Sequence, residues 1–468
     1  MIELVKDKFK EECGVFGIFS PDVEEVTSIT YYGLYALQHR GQESAGIAVA
    51  DGSNLRCEKG MGLVSEAFDK EKLGELRGNA AIGHVRYSTA GSSNLINAQP
   101  LVTESKYGTV AMAHNGNCTN AEVIRDLLED GGHLFNTTND SEVILSLIAR
   151  GARRGIEQAV FEALQAIKGS FALVILTKDK LIGVRDTYGI RPLAIGKYKD
   201  SYILTSESCA LDTIGAEFVR DVKPGEIVVI DKEGLRSVNK IERTTCNTCS
   251  FEYIYFARPD STIDGMNVYE SRVRVGEGLY KECPAEADVV IGVPDSGLAA
   301  AVGYAKASGI PYADGFIKNR YIGRTFIAPS QELREKAVAL KLNPLKNIVN
   351  GKRIVLIDDS IVRGTTSVRL VELMKKAGAK EVHFRVASPI VKFPCYFGID
   401  TPYRRELIGA NKTVEEIKDM LGADSLGYIS IEGMIEAFGR GDNFCLGCFS
   451  GVYPVAPPME TNKDYLER

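Results

Sequence analysis

The chain has 468 residues, 44% of them apolar and 25% charged, with a net charge of -6; this length exceeds one ordinary core, so two or three domains are expected, and the mild charge argues against nucleic acid or an anionic membrane as the main partner. No run approaches the roughly 18 uninterrupted apolar residues of a membrane span, and the first dozen residues carry both signs of charge without the apolar centre of a secretory signal, so a cytoplasmic location is expected. Ten cysteines in that compartment are read as packing residues, metal ligands or a nucleophile rather than as a disulfide framework.

From residue 13 to about 240, short Val/Ile-rich runs alternate with Gly, Asn and Asp clusters: "CGVFGIF", "SAGIAVA", "AAIGHVRYST", "GTVAMAHNG", "SFALVILT", "KLIGVRD", "SYILTSES" and "GEIVVID". These predict strands of antiparallel sheets, interrupted by amphipathic helical stretches at about 120–130 and 141–167. That half reads as α+β with helices packed on sheets. From about 285 the pattern becomes apolar strand followed by Ala-rich helix, as in "ADVVIGVPDSGLAAAVGYAKASGIP", which is parallel α/β. The boundary falls near 240–250, without a low-complexity linker.

In "RIVLIDDSIVRGTTSVRLVELMKKAG" a buried-strand run ends on Asp358 and Asp359, and Arg363, Gly364, Thr365, Thr366 and Ser367 lead into the next helix. Ligands of open α/β sheets bind off the carboxyl ends of strands, and the N–H groups of a helix N-terminus favour phosphate. Adjacent acids beside such a cradle suit sugar hydroxyls or a bridging Mg²⁺, whereas one acid or hydroxyl alone would suit a helix cap. "GVPDSG" offers a second strand-end loop with Ser296. Residues 318–343, with Lys318, Arg320, Arg324, Arg334 and Lys341 around Gly323 and Pro329, read either as a solvated basic loop or, beside such a phosphate cradle, as a flap whose cations cover the bound anion.

A group-transfer site of this kind needs a nucleophile. If residues 1–12 are removed, Cys13 carries both a thiol and a free α-amino group, which titrate near about 8.5 and 8 in model compounds, so one residue supplies nucleophile and base. "GHVRYST" offers Arg86 for a carboxylate, "HNGN" offers the Asn115 side chain and Gly116 N–H as an oxyanion hole, and "NDSE" offers Asp140 for an amine. Carboxylate, amine and scissile carbonyl together describe glutamine. Singly, Arg86 suits a surface ion pair, Asn115–Gly116 a hairpin turn, Asp140 an N-cap and Cys13 strand packing. The joint order Cys, "QHRGQES", "GHVRYST", "HNGN", "NDSE" favours the chemical reading.

This set resembles the class II, N-terminal-nucleophile glutaminase domain over about 13–235, and the second half resembles the type I phosphoribosyltransferases over about 250–400. In this order the two resemble the amidophosphoribosyltransferase family, in its propeptide-bearing iron–sulfur branch. The resemblance implies an α+β N-terminal-nucleophile hydrolase domain, an αββα sandwich, followed by an α/β type I phosphoribosyltransferase domain. It implies a propeptide at 1–12 cleaved between Glu12 and Cys13, a glutaminase domain at 13–240, a transferase domain at 241–400 and a C-terminal extension at 401–468. Cys13, Asn115 and Gly116 would be catalytic, and Arg40, Arg86 and Asp140 would border glutamine. Asp358, Asp359 and Arg363 to Ser367, with Lys318, Arg320 and Lys341 of the flap, would bind phosphoribosyl pyrophosphate (PRPP). Ser296, Asp358 and Asp359 would hold Mg²⁺. An internal ammonia channel, a homotetramer and feedback inhibition by purine nucleotides are implied as well. Asn139 departs from the Ser usual in relatives and leaves Asp140 in place.

"CNTC" at 246–249 and "CLGC" at 445–448 are Cys-x2-Cys pairs, with Cys395 between them. Such pairs read as a thiolate metal site, zinc or iron–sulfur, and spacing does not choose the metal. The resemblance implies a [4Fe–4S] cluster on Cys249, Cys395, Cys445 and Cys448, leaving Cys246 aside; a zinc ribbon of the two pairs is the alternative. Cys57, Cys118, Cys209 and Cys283 are isolated and read as structural. Two other functions stand beside the enzyme: a PRPP-sensing regulator without turnover, disfavoured by the complete glutaminase set, and another class II amidotransferase, disfavoured by "IDDSIVRGTTS".

Overall fold

The computed structural model describes residues 13–21, 25–87, 93–240, 245–319, 342–401, 403–441 and 443–458. The leader 1–12 with its cleavage point, and residues 320–341 of the flap, including Arg320, Arg324, Arg334 and Lys341, lie outside the described residues.

Strands β1 (Gly14–Phe19), β2 (Ser44–Ala50), β3 (Leu55–Met61) and β4 (Ala80–Arg86) begin one sheet, and β5 (Leu101–Ser105), β6 (Gly108–Cys118), β7 (Gly169–Leu176) and β8 (Leu181–Arg185) begin a second. Then β9 (Ala194–Tyr198), β10 (Ser201–Thr205) and β11 (Glu217–Asp221) return to the first, and β12 (Glu226–Asp231) and β13 (Gly234–Lys240) to the second. Among the described residues the orders are β11-β9-β10-β1-β4-β2-β3 and β13-β12-β8-β7-β6-β5, with antiparallel pairing throughout.

The two sheets face each other through small and β-branched residues: Val15, Ile82, Ala111, Ala113, Ala172 and Val174 lie in one buried cluster. Side chains alternate faces along a strand, so position 13 shares a face with Val15, positions 84 and 86 with Ile82, and position 115 with Ala113. This alternation aims Cys13, His84, Arg86 and Asn115 at the seam between the sheets. Outside the second sheet pack α2 (Ala121–Asp130), α3 (Asp140–Gly151) and α4 (Ile156–Ala166), and outside the first packs α1 (Val26–Ala36). The half is an αββα sandwich, as expected.

Two local readings differ. The helix expected over 141–167 is two helices, α3 and α4, separated by a 3-10 turn at Ala152–Arg154. Helix α1 escapes sequence reading because Val26, Thr27, Ile29, Thr30, Tyr31 and Tyr32 are β-branched or aromatic. Its formation rests on burying Val26, Thr30 and Leu34.

In the second half α5 (Val268–Glu282) precedes β14 (Val289–Gly292), α6 (Leu298–Ser308), β15 (Arg353–Asp358), α7 (Thr365–Lys376), β16 (Glu381–Val386) and β17 (Ser425–Tyr428). The four strands form a parallel sheet in the order β14-β15-β16-β17, as the strand–helix alternation predicts. Its last strand comes from the segment after residue 400.

Buried polar contacts join the halves. Arg185 of β8 forms a two-pronged pair with Asp264 at 2.7 and 2.8 Å. The loop 395–398 presses on β6 and β7, with Asn117 Nδ2 donating to the Tyr396 carbonyl at 3.0 Å and Ser170 Oγ to the Phe397 carbonyl at 2.8 Å.

Candidate active sites

Cys13 stands at the head of β1, where Val15 N donates to Ser206 Oγ at 2.9 Å and the Val15 carbonyl accepts from Ser206 N at 3.0 Å. Its sulfur lies 3.4 Å from the Tyr87 carbonyl and 3.5 Å from Tyr87 N, and its own carbonyl accepts from Arg40 Nε at 3.0 Å. Burial pushes the thiol up to about 11, against the smaller pull of the Tyr87 backbone and the Arg86 charge. A thiol of this kind is neutral near pH 7 and becomes a nucleophile only when a base takes its proton at the moment of attack.

Around this thiol the structure assembles the residues singled out in the sequence. Asn115 is buried, and its Nδ2 finds no acceptor among the described residues, leaving a desolvated donor for a developing oxyanion. Asn115 and Gly116 sit within β6 in register with Ala172 and Phe171, which removes the hairpin-turn alternative. Gly116 has φ +147, and a Cβ there would stand 2.0 Å from the Ser170 carbonyl, so only glycine fits. Arg86 is paired with Glu43. Asp140, the first residue of α3, is fixed by Cys118 N at 2.8 Å, while Asn139 takes the capping position by accepting from Ser141 N at 3.0 Å.

Arg40, expected to border the glutamine pocket, meets the backbone of the nucleophile in this site. Its guanidinium is fully buried and engaged by Glu207 at 2.5 Å and Glu252 at 2.7 Å, besides the Cys13 carbonyl. It therefore positions the nucleophile from behind.

Sequence reasoning missed the network under the oxyanion strand. His114 N donates to Gln99 Oε1 at 2.7 Å, His114 Nδ1 lies 2.9 Å from Ser141 Oγ, and Gln99 Nε2 donates to Ser141 Oγ at 3.1 Å. His84 Nε2 reaches the His114 carbonyl across the seam at 3.0 Å. Burial pulls His84 down to about 3 and lowers His114 as well, so both are neutral supports. The clue lay in "GHVRYST" and "AHNGN", where each histidine stands two and one residues before a chemically read position.

The second site lies at the end of β15. Asp358 and Asp359 are both buried; Asp358 Oδ1 accepts from Asp359 N at 2.9 Å, Ser360 Oγ donates to Asp359 Oδ1 at 2.6 Å, and Ser296 Oγ bonds Asp359 Oδ2. Gly364 turns the chain into α7 at φ +88, presenting Thr365, Thr366 and the buried Ser367 in its first turn. Arg363 pairs with Glu406 at 2.7 Å, and Lys318 with Asp295.

Some of the cysteines come together in the fold. A short parallel bridge places Thr248 and Cys249 beside Phe444 and Cys445. Burial pushes Cys445 up to about 12, with the Cys395 thiol adding to it, and burial with Cys445 and Cys395 raises Cys448 further. Cys246 instead faces Arg440 Nη2 at 3.0 Å and Thr248 Oγ1 at 3.3 Å. Among the described residues no group of three or more His, Cys, Asp or Glu side chains has the arrangement of a metal site.

Residues 84–213 match the glutamine amidotransferase domain family and residues 274–388 the phosphoribosyl transferase domain family. Curated amidophosphoribosyltransferases from Synechocystis sp. and Bacillus subtilis are 51% and 48% identical to the chain, covering 98% and 96% of it and 94% and 96% of their own lengths. The chain belongs to the amidophosphoribosyltransferase family. A solved structure described as the allosteric regulatory enzyme of purine biosynthesis matches with TM-score 0.93 at 47% identity, over 97% of this chain and 99% of that one. The glutamine PRPP amidotransferase of Bacillus subtilis, complexed with ADP and GMP, matches with TM-score 0.92 at 46% identity, over 97% of this chain and 100% of that one. Both matches run through the two halves of the chain.

Burial of the thiol has a measurable result. In protein that keeps residues ahead of Cys13, alkylation of that cysteine followed by peptide mass mapping is expected to rise toward pH 11. A midpoint near the free-thiol value of about 8.5 would contradict the buried placement.

Proposed function

We propose that the chain converts glutamine, PRPP and water into 5-phosphoribosylamine, glutamate and pyrophosphate, the first step of purine biosynthesis, with ammonia passed between its two sites. The observation that carries this reading is the pairing, in one chain, of a buried thiol and an Asn115 Nδ2 without an acceptor among the described residues with a strand-end diacid beside a glycine-led helix N-terminus.

Arg86 and Asp140 hold the carboxylate and amine of glutamine. After removal of residues 1–12, the α-amine of Cys13 takes the thiol proton as sulfur attacks the amide carbon. Asn115 Nδ2 and Gly116 N–H receive the tetrahedral oxyanion, a contribution of about 10²–10³ in rate for one such donor. The proton passes to the departing ammonia and leaves a thioester, which water opens to glutamate. At the second site the diacid orients the ribose hydroxyls, the Arg363–Ser367 turn holds the 5-phosphate, and ammonia attacks C1 as pyrophosphate leaves. The cations of 318–343 cover the pyrophosphate and exclude water.

Two inorganic groups belong to the reading. Mg²⁺ fits Ser296, Asp358 and Asp359, because two buried carboxylates at one strand end favour a cation; bound there, it would neutralise pyrophosphate charge. A [4Fe–4S] cluster would be held by the soft donors Cys249, Cys445 and Cys448, which are buried, and Cys395, which is partly buried, and would serve a structural role there. The reading extends to a homotetramer and to inhibition by purine nucleotides at the PRPP site and a neighbouring site; the Bacillus subtilis neighbour is complexed with ADP and GMP.

Cys13→Ala is expected to remove glutamine-dependent pyrophosphate release while ammonium at high pH still supports it. Equal loss of both activities would contradict two separable sites. Anaerobically prepared protein should contain iron and acid-labile sulfide in equal amounts, about four of each per chain; stoichiometric zinc would overturn the cluster.

A further inference from the structure

The second half of the chain reaches into the first at one carboxylate. Glu252 opens a π-helix, Glu252–Phe256, and is completely buried. It accepts from Arg40 Nη2 at 2.7 Å and Nη1 at 3.0 Å, and the same guanidinium donates through Nε to the Cys13 carbonyl at 3.0 Å. Glu252 therefore fixes the group that fixes the nucleophile. Its Oε1 also lies 3.8 Å from Arg191 Nη1, and Arg191 Nη2 donates to the Phe397 carbonyl. That carbonyl also accepts from Ser170, the register partner of Asn117 on the oxyanion strand. One carboxylate thus stands behind both arms of the glutamine site.

The π-helix is itself held from the other side. Arg272 of α5 donates through Nε to the Tyr253 carbonyl at 2.7 Å and through Nη2 to the Ala257 carbonyl at 2.8 Å. Arg272, Tyr253 and Ile254 share the wall of a small cavity with Ser296, which bonds Asp359 of the diacid. A helix with i to i+5 hydrogen bonds is uncommon and is frequently found at functional sites. This one lies between the two reaction centres.

We infer that Glu252 is a positioning residue for glutamine hydrolysis, contributed by the transferase half and acting through Arg40 on Cys13, with Arg272 holding the π-helix that presents it. The inference rests on the function proposed above. The carboxylate touches neither substrate. Its effect comes from the direction in which Arg40 pulls the Cys13 carbonyl, and hence from where the thiol sits relative to Asn115. Small misplacements of that kind act on turnover more than on binding.

The test compares full-length wild-type protein with Glu252→Gln and Arg272→Lys. Glutamate formation and ammonium-dependent pyrophosphate release are each measured with PRPP present. Glu252→Gln keeps the size of the side chain and removes its charge; it is expected to lower kcat for glutamate formation about tenfold or more, with KM for glutamine changed less than about twofold. Arg272→Lys, which cannot reach both carbonyls, should act in the same direction. Ammonium-dependent release by Glu252→Gln should stay within about twofold of wild type, because the diacid site does not use Glu252.

An unchanged kcat for glutamine in Glu252→Gln overturns the inference, as does a parallel fall of glutamine- and ammonium-dependent rates. If Glu252→Gln does not fold, the pair Arg40→Met with Glu252→Gln removes the Arg40–Glu252 pair and leaves Glu207 with His39 as its partner, and a wild-type glutamine kcat in that pair overturns the inference equally. Wild-type protein that fails to release pyrophosphate from PRPP with ammonium would instead sink the proposed function.

Discussion

The arrangement depends on a buried charge cluster in which Arg40 is gripped by Glu207 and Glu252. His39 adds to it, its Nε2 lying 2.7 Å from Glu207. Removing one member of a buried pair costs about 3–5 kcal/mol, because the partner is left without a counter-charge in a low-dielectric interior. Burial alone would raise Glu207, yet the charges of His39 and Arg40 hold its carboxyl below the ordinary range. Glu207 follows β10 of the first half and Glu252 opens the π-helix of the second, so each half completes the charge balance of the other. The carbonyl of Cys13 accepts from Arg40 Nε, and the nucleophile inherits the rigidity of the whole cluster.

The seam between the sheets supplies the rest of the glutamine site by a simple rule. Small residues at Ala111, Ala113 and Ala172 fill the space between the sheets, and strict alternation carries Asn115 onto the same face at the end of that layer. The Asn115 Nδ2 there has lost its water and has no acceptor among the described residues, an expense that is tolerable where a substrate oxygen will occupy the space. The neutral histidines below, His84 and His114, add hydrogen bonds without adding charge near the oxyanion.

Much of this was legible in the sequence where local chemistry and local geometry coincide. "IDDSIVRGTTS" reads as strand, diacid, turn and helix start, and the structure folds it so. "CGVFGIF" and "GTVAMAHNG" read as strands, and alternation within them aims the chemical residues. What stayed hidden depends on contacts far apart in the chain. That Glu252, which is 212 residues away, engages Arg40 cannot be read from either stretch of sequence. Helix α1 is made by its surroundings against its own composition. The two Cys-x2-Cys pairs read alike, but only tertiary placement separates Cys246, facing Arg440, from Cys249, beside Cys445.

The central claim is that two sites, coupled across this interlocked boundary, move one nitrogen atom from glutamine to the sugar without releasing it. It is tested most directly by supplying glutamine labelled with ¹⁵N at the amide, together with PRPP and an excess of unlabelled ammonium at neutral pH, and trapping the phosphoribosylamine for mass spectrometry. The account expects the product to keep the amide label despite the competing ammonium. A product diluted to the isotopic ratio of the bulk solution would contradict it.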